Sequence, residues 1–178
     1  MRRVGLGLLV VAAIATIAQV LWFSTKLPDP VASHFGPNGQ PDAWMSRTGF
    51  LAMLVLLQVG MAGFMLAIAY GMKWIPASLL NMPNKEYWLH PDRRDESLRK
   101  NGSMLILISG LTGIFLAVID QLICETNVRA NGPLPQGVLF LALGLYLVAV
   151  IGVAGYGLWS FRMPTDEDKE FGSARNDV

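Results

Sequence analysis

Four stretches of this chain carry almost no charge, and each is long enough to cross a lipid bilayer as a helix. They are Val4–Phe23, Gly49–Met72, Ser103–Ile123 and Gly137–Phe161; the only carboxylate within them is Asp120. About 20 apolar residues in helical conformation span roughly 30 Å of hydrocarbon. Composition agrees. Of 178 residues 53% are hydrophobic and only 15% charged, with a mean hydropathy of +0.43, where an ordinary soluble domain has about a quarter charged residues. The pattern predicts an all-α integral membrane four-helix bundle over residues 1–162, followed by a mobile acidic tail over 163–178. A cleaved signal peptide is the rival reading of the first run, because Ala13-Ile14-Ala15 has the small residues of a cleavage site. The apolar run continues through Val20-Leu21-Trp22-Phe23, which favours a retained helix.

The basic residues predict the orientation. The N-terminus, the connection between the second and third runs, and the tail hold eleven Lys and Arg, against three (Lys26, Arg47, Arg129) in the first and third connections. By the positive-inside rule both termini face the cytoplasm, and the 27–50 segment faces out. A multi-pass protein of the cell membrane is expected.

The net charge of +1 gives no global field to draw nucleic acid, and the basic run Arg93–Lys100 is interleaved with Asp95 and Glu96. It suits anionic headgroups better than a nucleic acid. A lone Cys124 rules out an intrachain disulfide and a multi-cysteine metal site. No HExxH, GxSxG or P-loop pattern is present, so nothing in the sequence argues for an enzyme.

The candidate site lies in LPDPVASHFGPNGQPDAWMSRTGF, Leu27–Phe50. Irregular backbone of this kind cannot be left unpaired in lipid, so it should form an ordered outward loop against the helix ends. His34 sits between Pro30 and Gly36-Pro37, and the Asn38-Gly39 turn should return Asp42 and Trp44 towards it. A His and an Asp together could bind a divalent cation, bind a cationic ligand or move a proton. The plainer reading makes Asp42 the N-cap of the second span. Asp29 and Asp120 complete the expected ligand-binding set of His34, Asp42, Trp44, Asp29 and Asp120. Asp120, an ionisable group in a span, could meet Arg47, Lys26 or His34. Gln58 should hydrogen-bond across the bundle, and the glycines of the later spans should let helices approach closely.

Leu27, Pro28, His34, Phe35, Gly39, Asp42 and Trp44 together resemble the pattern of the domain of unknown function 1648 family, and Asn81–Arg94 is similar to a segment of its stand-alone members. The same domain occurs in larger immunity and signalling membrane proteins that protect bacilli from their own killing-factor toxin. The resemblance implies a bacterial or archaeal membrane protein with the outward motif as its shared feature. The expected function is sensing or binding an extracytoplasmic ligand or partner through the 27–50 loop. Alternatives are a structural subunit of a membrane complex, or a metal-dependent membrane enzyme using His34 and Asp42. Expected partners are the lipid bilayer and another membrane protein or an extracytoplasmic peptide; no cofactor is required beyond a possible divalent metal.

Overall fold

The computed structural model describes residues 1–129 and 132–163. The expected tail, from residue 164 on, and Asn131 of the third connection lie outside them. Four helices among the described residues are long and apolar enough to cross a membrane: α1 (Arg2–Phe23), α2 (Arg47–Gly71), α4 (Pro91–Val128) and α5 (Gln136–Ser160). The protein is a multi-pass membrane protein. The short helix α3 (Lys85–Trp88) lies in the second connection.

Two expectations need correction. The 27–50 segment is not merely a turn-rich loop: β1 (Val31–Phe35) and β2 (Pro41–Met45) pair antiparallel, so a β-hairpin stands on an otherwise helical bundle. Nor is Asp42 a helix cap, because it lies in β2. The N-cap of α2 is Ser46, whose Oγ accepts a hydrogen bond from the Gly49 N–H at 3.2 Å. Ser46 stands directly before the first helical residue, where its hydroxyl reaches an orphan N–H.

α4 is the central element, packing against α1, α2 and α5. Asn101-Gly102 does not stop it: the amphiphilic turns after Pro91 and the third apolar run form one helix of 38 residues. At 1.5 Å per residue that is about 57 Å, far more than the hydrocarbon needs. Pro91 begins it without cost, since a proline in the first helical turn gives up no intrahelical bond.

α1 and α4 run parallel, and glycine brings their backbones together. A Cβ at Gly5 would lie 2.6 Å from the Ile106 carbonyl oxygen, and one at Gly110 2.6 Å from that of Gly5. One level on, Gly113 meets Ala12 and the Gln58 amide of α2. Beyond that, Gln19 Nε2 donates to the Ala117 carbonyl at 2.7 Å and to Gln121 Oε1 at 3.1 Å. Of the glycines expected to pack helices, Gly110, Gly113 and Gly157 do so, the last against Met104 of α4, while Gly60, Gly63, Gly144, Gly152 and Gly155 face open space. Gly5 and Gly102 complete the set; a Cβ at Gly102 would stand 2.9 Å from the Ala69 carbonyl oxygen.

At the end away from the hairpin, the second connection caps α5. Asn84 Nδ2 and Trp88 Nε1 donate to the Phe161 carbonyl at 2.9 and 2.8 Å, and Lys100 Nζ donates to that of Ser160 at 2.9 Å. Terminal helix carbonyls lack intrahelical donors, and these side chains supply them. The Glu86–Leu89 segment thus packs on protein, with Tyr87 buried. Trp74, exposed, carries Lys73 Nζ over its ring, and Trp22 carries Lys26 Nζ over its own near the hairpin. Indoles with flanking lysines at both ends suit the two interfaces.

Enlarging Gly110 must part α1 from α4. Gly110→Leu is expected to lower stability by about 1–3 kcal/mol, the usual cost of overpacking, whereas Gly144→Ala should leave it unchanged. Thermal unfolding of the two variants in detergent, followed by circular dichroism, checks both.

Candidate functional site

Hairpin geometry begins at its turn. Asn38 Oδ1 accepts from the Gln40 N–H at 3.1 Å, Gly39 N donates to the Gly36 carbonyl, and Gly36 N donates to that of Gln40, both at 2.8 Å. Gly39 has φ +77°, a left-handed conformation that glycine adopts without steric cost. Gly36 leaves room beside Asp42: a Cβ there would meet Asp42 Oδ2 at 3.3 Å. This turn returns β2 along β1 and brings His34 Nδ1 into a short hydrogen bond with Asp42 Oδ1. The pair is exposed, the side chains retaining 70% and 50% of their accessible surface. Trp44, in the same strand as Asp42, is also exposed.

The base of the hairpin is buried. Val31 and Leu27 join Phe23, Phe50, Leu54 and Cys124 in one apolar cluster, which ties the first connection to α1, α2 and α4. Asn127, near the end of α4 and 2% exposed, fixes the strand itself. Its Oδ1 accepts from the Ala32 N–H at 2.7 Å and its Nδ2 donates to the Ala32 carbonyl at 3.0 Å. The same amide nitrogen donates to the Ile123 carbonyl at 2.9 Å. One amide side chain therefore pairs with β1 as a neighbouring strand would, in a site where unpaired backbone would be costly. At the tip, the Leu134 N–H donates to the Gly39 carbonyl at 2.9 Å, and Gln136 Nε2 donates to that of Pro37 at 2.6 Å. The hairpin is held at its base by α4 and at its tip by the start of α5.

The five expected ligand-binding residues divide into three places. His34, Asp42 and Trp44 share the exposed hairpin. Asp29 lies at the opposite edge of the first connection, accepting from the Arg47 N–H at 3.2 Å, in a groove of about 500 Å³ that Ser24, Arg47 and Thr48 also line. Asp120 is separate from both. It is buried in α4 rather than solvated at an interface, and its suggested partners are engaged elsewhere: Arg47 donates to the Ser24 carbonyl at 3.2 Å, Lys26 covers Trp22 and His34 holds Asp42. Gln58 also departs from expectation, since its buried Oε1 has no hydrogen-bond partner among the described residues and its amide rests over Gly113. Asn127, Leu134 and Gln136 were not expected in the site; they position the hairpin and leave its outer face open.

His34 and Asp42 could offer two donors to a cation, which alone fall short of a closed four-ligand zinc site. Among the described residues no group of three or more His, Cys, Asp and Glu is arranged to hold a metal. Nδ1–H of His34 donates to the Asp42 carboxylate, which leaves Nε2 of the neutral ring as an acceptor. Two positions from Asp42 in β2, the exposed Trp44 indole can receive an apolar or cationic group.

Removing the Asn127 amide strands a buried donor and acceptor at Ala32. Asn127→Ala is expected to cost about 1–3 kcal/mol and to speed amide hydrogen exchange across 31–45, most of all at Ala32. Hydrogen–deuterium exchange read by mass spectrometry measures it.

No curated protein and no solved structure matches this chain. A family does match, over residues 9–59. That segment runs from Leu9 of α1 through the complete hairpin to Val59 of α2, so it contains His34, Asp42 and Trp44 but not α4, which holds the hairpin in place. Over that segment, under a third of the chain, the sequence is similar to the family described as Domain of unknown function (DUF1648).

Proposed function

We propose that this protein recognises an extracytoplasmic ligand or partner on its hairpin, at the surface formed by His34, Asp42 and Trp44. One observation carries the reading: polar and aromatic side chains are exposed on a strand pair that is pinned at both base and tip. A rigid support lowers the entropy lost when such groups engage a ligand. Recognition rather than catalysis suits an open surface with no enclosing cleft. The family match covers the hairpin, which is consistent with this surface being the family's working part.

In this reading the protein sits in the cell membrane with both termini in the cytoplasm, as its basic residues favour. Binding could then reach the other side through α4, whose first turns carry the charged 92–100 segment. A ligand shifts such an element only if it prefers one arrangement to another.

Orientation can be tested with the native cysteine left in place, because Cys124 is fully buried. Gln40→Cys should react with a membrane-impermeant maleimide in intact cells. Ser78→Cys should react only after permeabilisation. The reverse result would place the hairpin inside and remove the proposal.

Binding is tested on purified protein titrated with zinc, comparing wild type with His34→Ala and Asp42→Ala. Both side chains are exposed, so both variants should keep the wild-type unfolding temperature. Stoichiometric zinc lost in both identifies a cation as the ligand. If wild type takes none, a photo-crosslinking residue at position 44 in cells should capture a protein or peptide. A crosslinker at that position that labels lipid alone, together with no zinc, would overturn the reading.

A further inference from the structure

At the end of the bundle away from the hairpin, a groove of about 550 Å³ opens between the start of α1, the end of α2 and the early turns of α4. Ala69, Gly102 and Ile106 form its apolar wall. Gly102 lets α4 approach α2 closely there, since the position its Cβ would take is 2.9 Å from the Ala69 carbonyl oxygen. Arg2, Tyr70, Arg99 and Ser103 form the polar rim, with Lys100 and Glu96 beside them. Three cationic side chains thus stand against one carboxylate.

These groups are placed rather than merely nearby. Arg2 Nη2 donates to the Tyr70 hydroxyl at 3.1 Å, and its guanidinium carbon lies 5.2 Å from the centre of that ring. This contact holds the N-terminal arginine over the mouth of the groove. The Ser103 hydroxyl donates to the Arg99 carbonyl at 2.7 Å, within the turn that carries Arg99. Lys100 is committed elsewhere, to the Ser160 carbonyl, so Arg2 and Arg99 are the two cations with exposed side chains at this rim. Among the described residues neither makes a hydrogen bond or ion pair to a carboxylate.

We propose that this groove binds an anionic phospholipid, with the headgroup phosphate between Arg2 and Arg99 and an acyl chain along Ala69, Gly102 and Ile106. Guanidinium groups suit phosphate because they donate in a planar fork. The change from a charged rim to an apolar wall matches the change from headgroup to hydrocarbon. A free phosphate would use only the rim, and a neutral lipid only the wall. The site is independent of the hairpin and of the function proposed for it.

Native mass spectrometry of the intact protein in detergent, with phosphatidylglycerol or phosphatidylcholine added, tests the proposal. Wild type is expected to retain phosphatidylglycerol preferentially. Arg99→Gln should reduce that preference about fivefold, and Arg2→Gln with Arg99→Gln should abolish it, since each basic residue near an anionic bilayer adds about that factor. Phosphatidylcholine binding should not change. Arg99 is exposed, so unchanged thermal unfolding of Arg99→Gln verifies that the fold is kept. Equal retention of the two lipids by wild type would overturn the proposal, as would a preference that survives the double variant. Displacement of phosphatidylglycerol by millimolar inorganic phosphate would assign the rim to free phosphate instead, and would overturn it too.

Discussion

Lipid tails are as apolar as leucine, so a bundle in a bilayer gains little by burying apolar side chains and depends on close contact between helices. Here that contact is made where Gly5 and Gly110 bring the backbones of α1 and α4 together. The remaining structure is arranged about α4. α2 lies along it at Gly102 and Gly113, and α5 touches it through the stacked rings of Tyr146 and Phe115, whose centres are 4.6 Å apart. Because α4 is continuous past both ends of its apolar stretch, it also carries the attachments outside the membrane. Asn127 holds the hairpin, and Trp88 and Lys100, before and within its first turns, hold the end of α5.

Polar groups serve two purposes in this bundle. Gln19, Gln121 and Glu125 form a chain of hydrogen bonds between α1 and α4, with Gln121 Nε2 donating to Glu125 Oε1 at 2.8 Å. Thr16, Gln58 and Ser109 instead present buried oxygens that have no hydrogen-bond partner among the described residues. Such atoms are costly in hydrocarbon. Polar pairing is found towards both ends of the bundle, where the hairpin on one side and the second connection on the other have to be supported.

The spans were legible because an uncharged run of about 20 residues has few alternatives. What surrounds them was less so. Pro28, Pro30, Pro37 and Pro41 obscured the hairpin, although Asn38-Gly39 between Val31–Phe35 and Ala43–Met45 is a recognised turn signal. Both Asp42 and Ser46 have cap chemistry; Ser46 takes the role because it adjoins the helix, which frees Asp42 for His34. The nearness of His34 and Asp42 could be read from the turn. Asn127 could not. It lies four residues beyond the expected end of the third span, in what reads as a connection, and its partner is the backbone of a residue 95 positions away. Backbone partners leave no mark on the identity of Ala32. Asp120 was legible as unusual, but its burial depends on which face of α4 turns inward, and that is fixed only by packing.

The amide of Asn127 has a consequence for how anything could dock. A two-stranded sheet offers two unpaired edges, and an extended peptide adds to such an edge through main-chain hydrogen bonds. The β1 edge is closed at Ala32, because the side chain that satisfies its N–H and C=O occupies the place an incoming strand would take. The β2 edge begins with Pro41, which has no N–H to offer. Strand addition is thus blocked at Ala32 and lacks a donor at Pro41, which under the proposed reading favours selection of a ligand by side chains. Specificity would then lie in the identities of a few exposed residues, and a single substitution among them could retune it without disturbing the fold beneath.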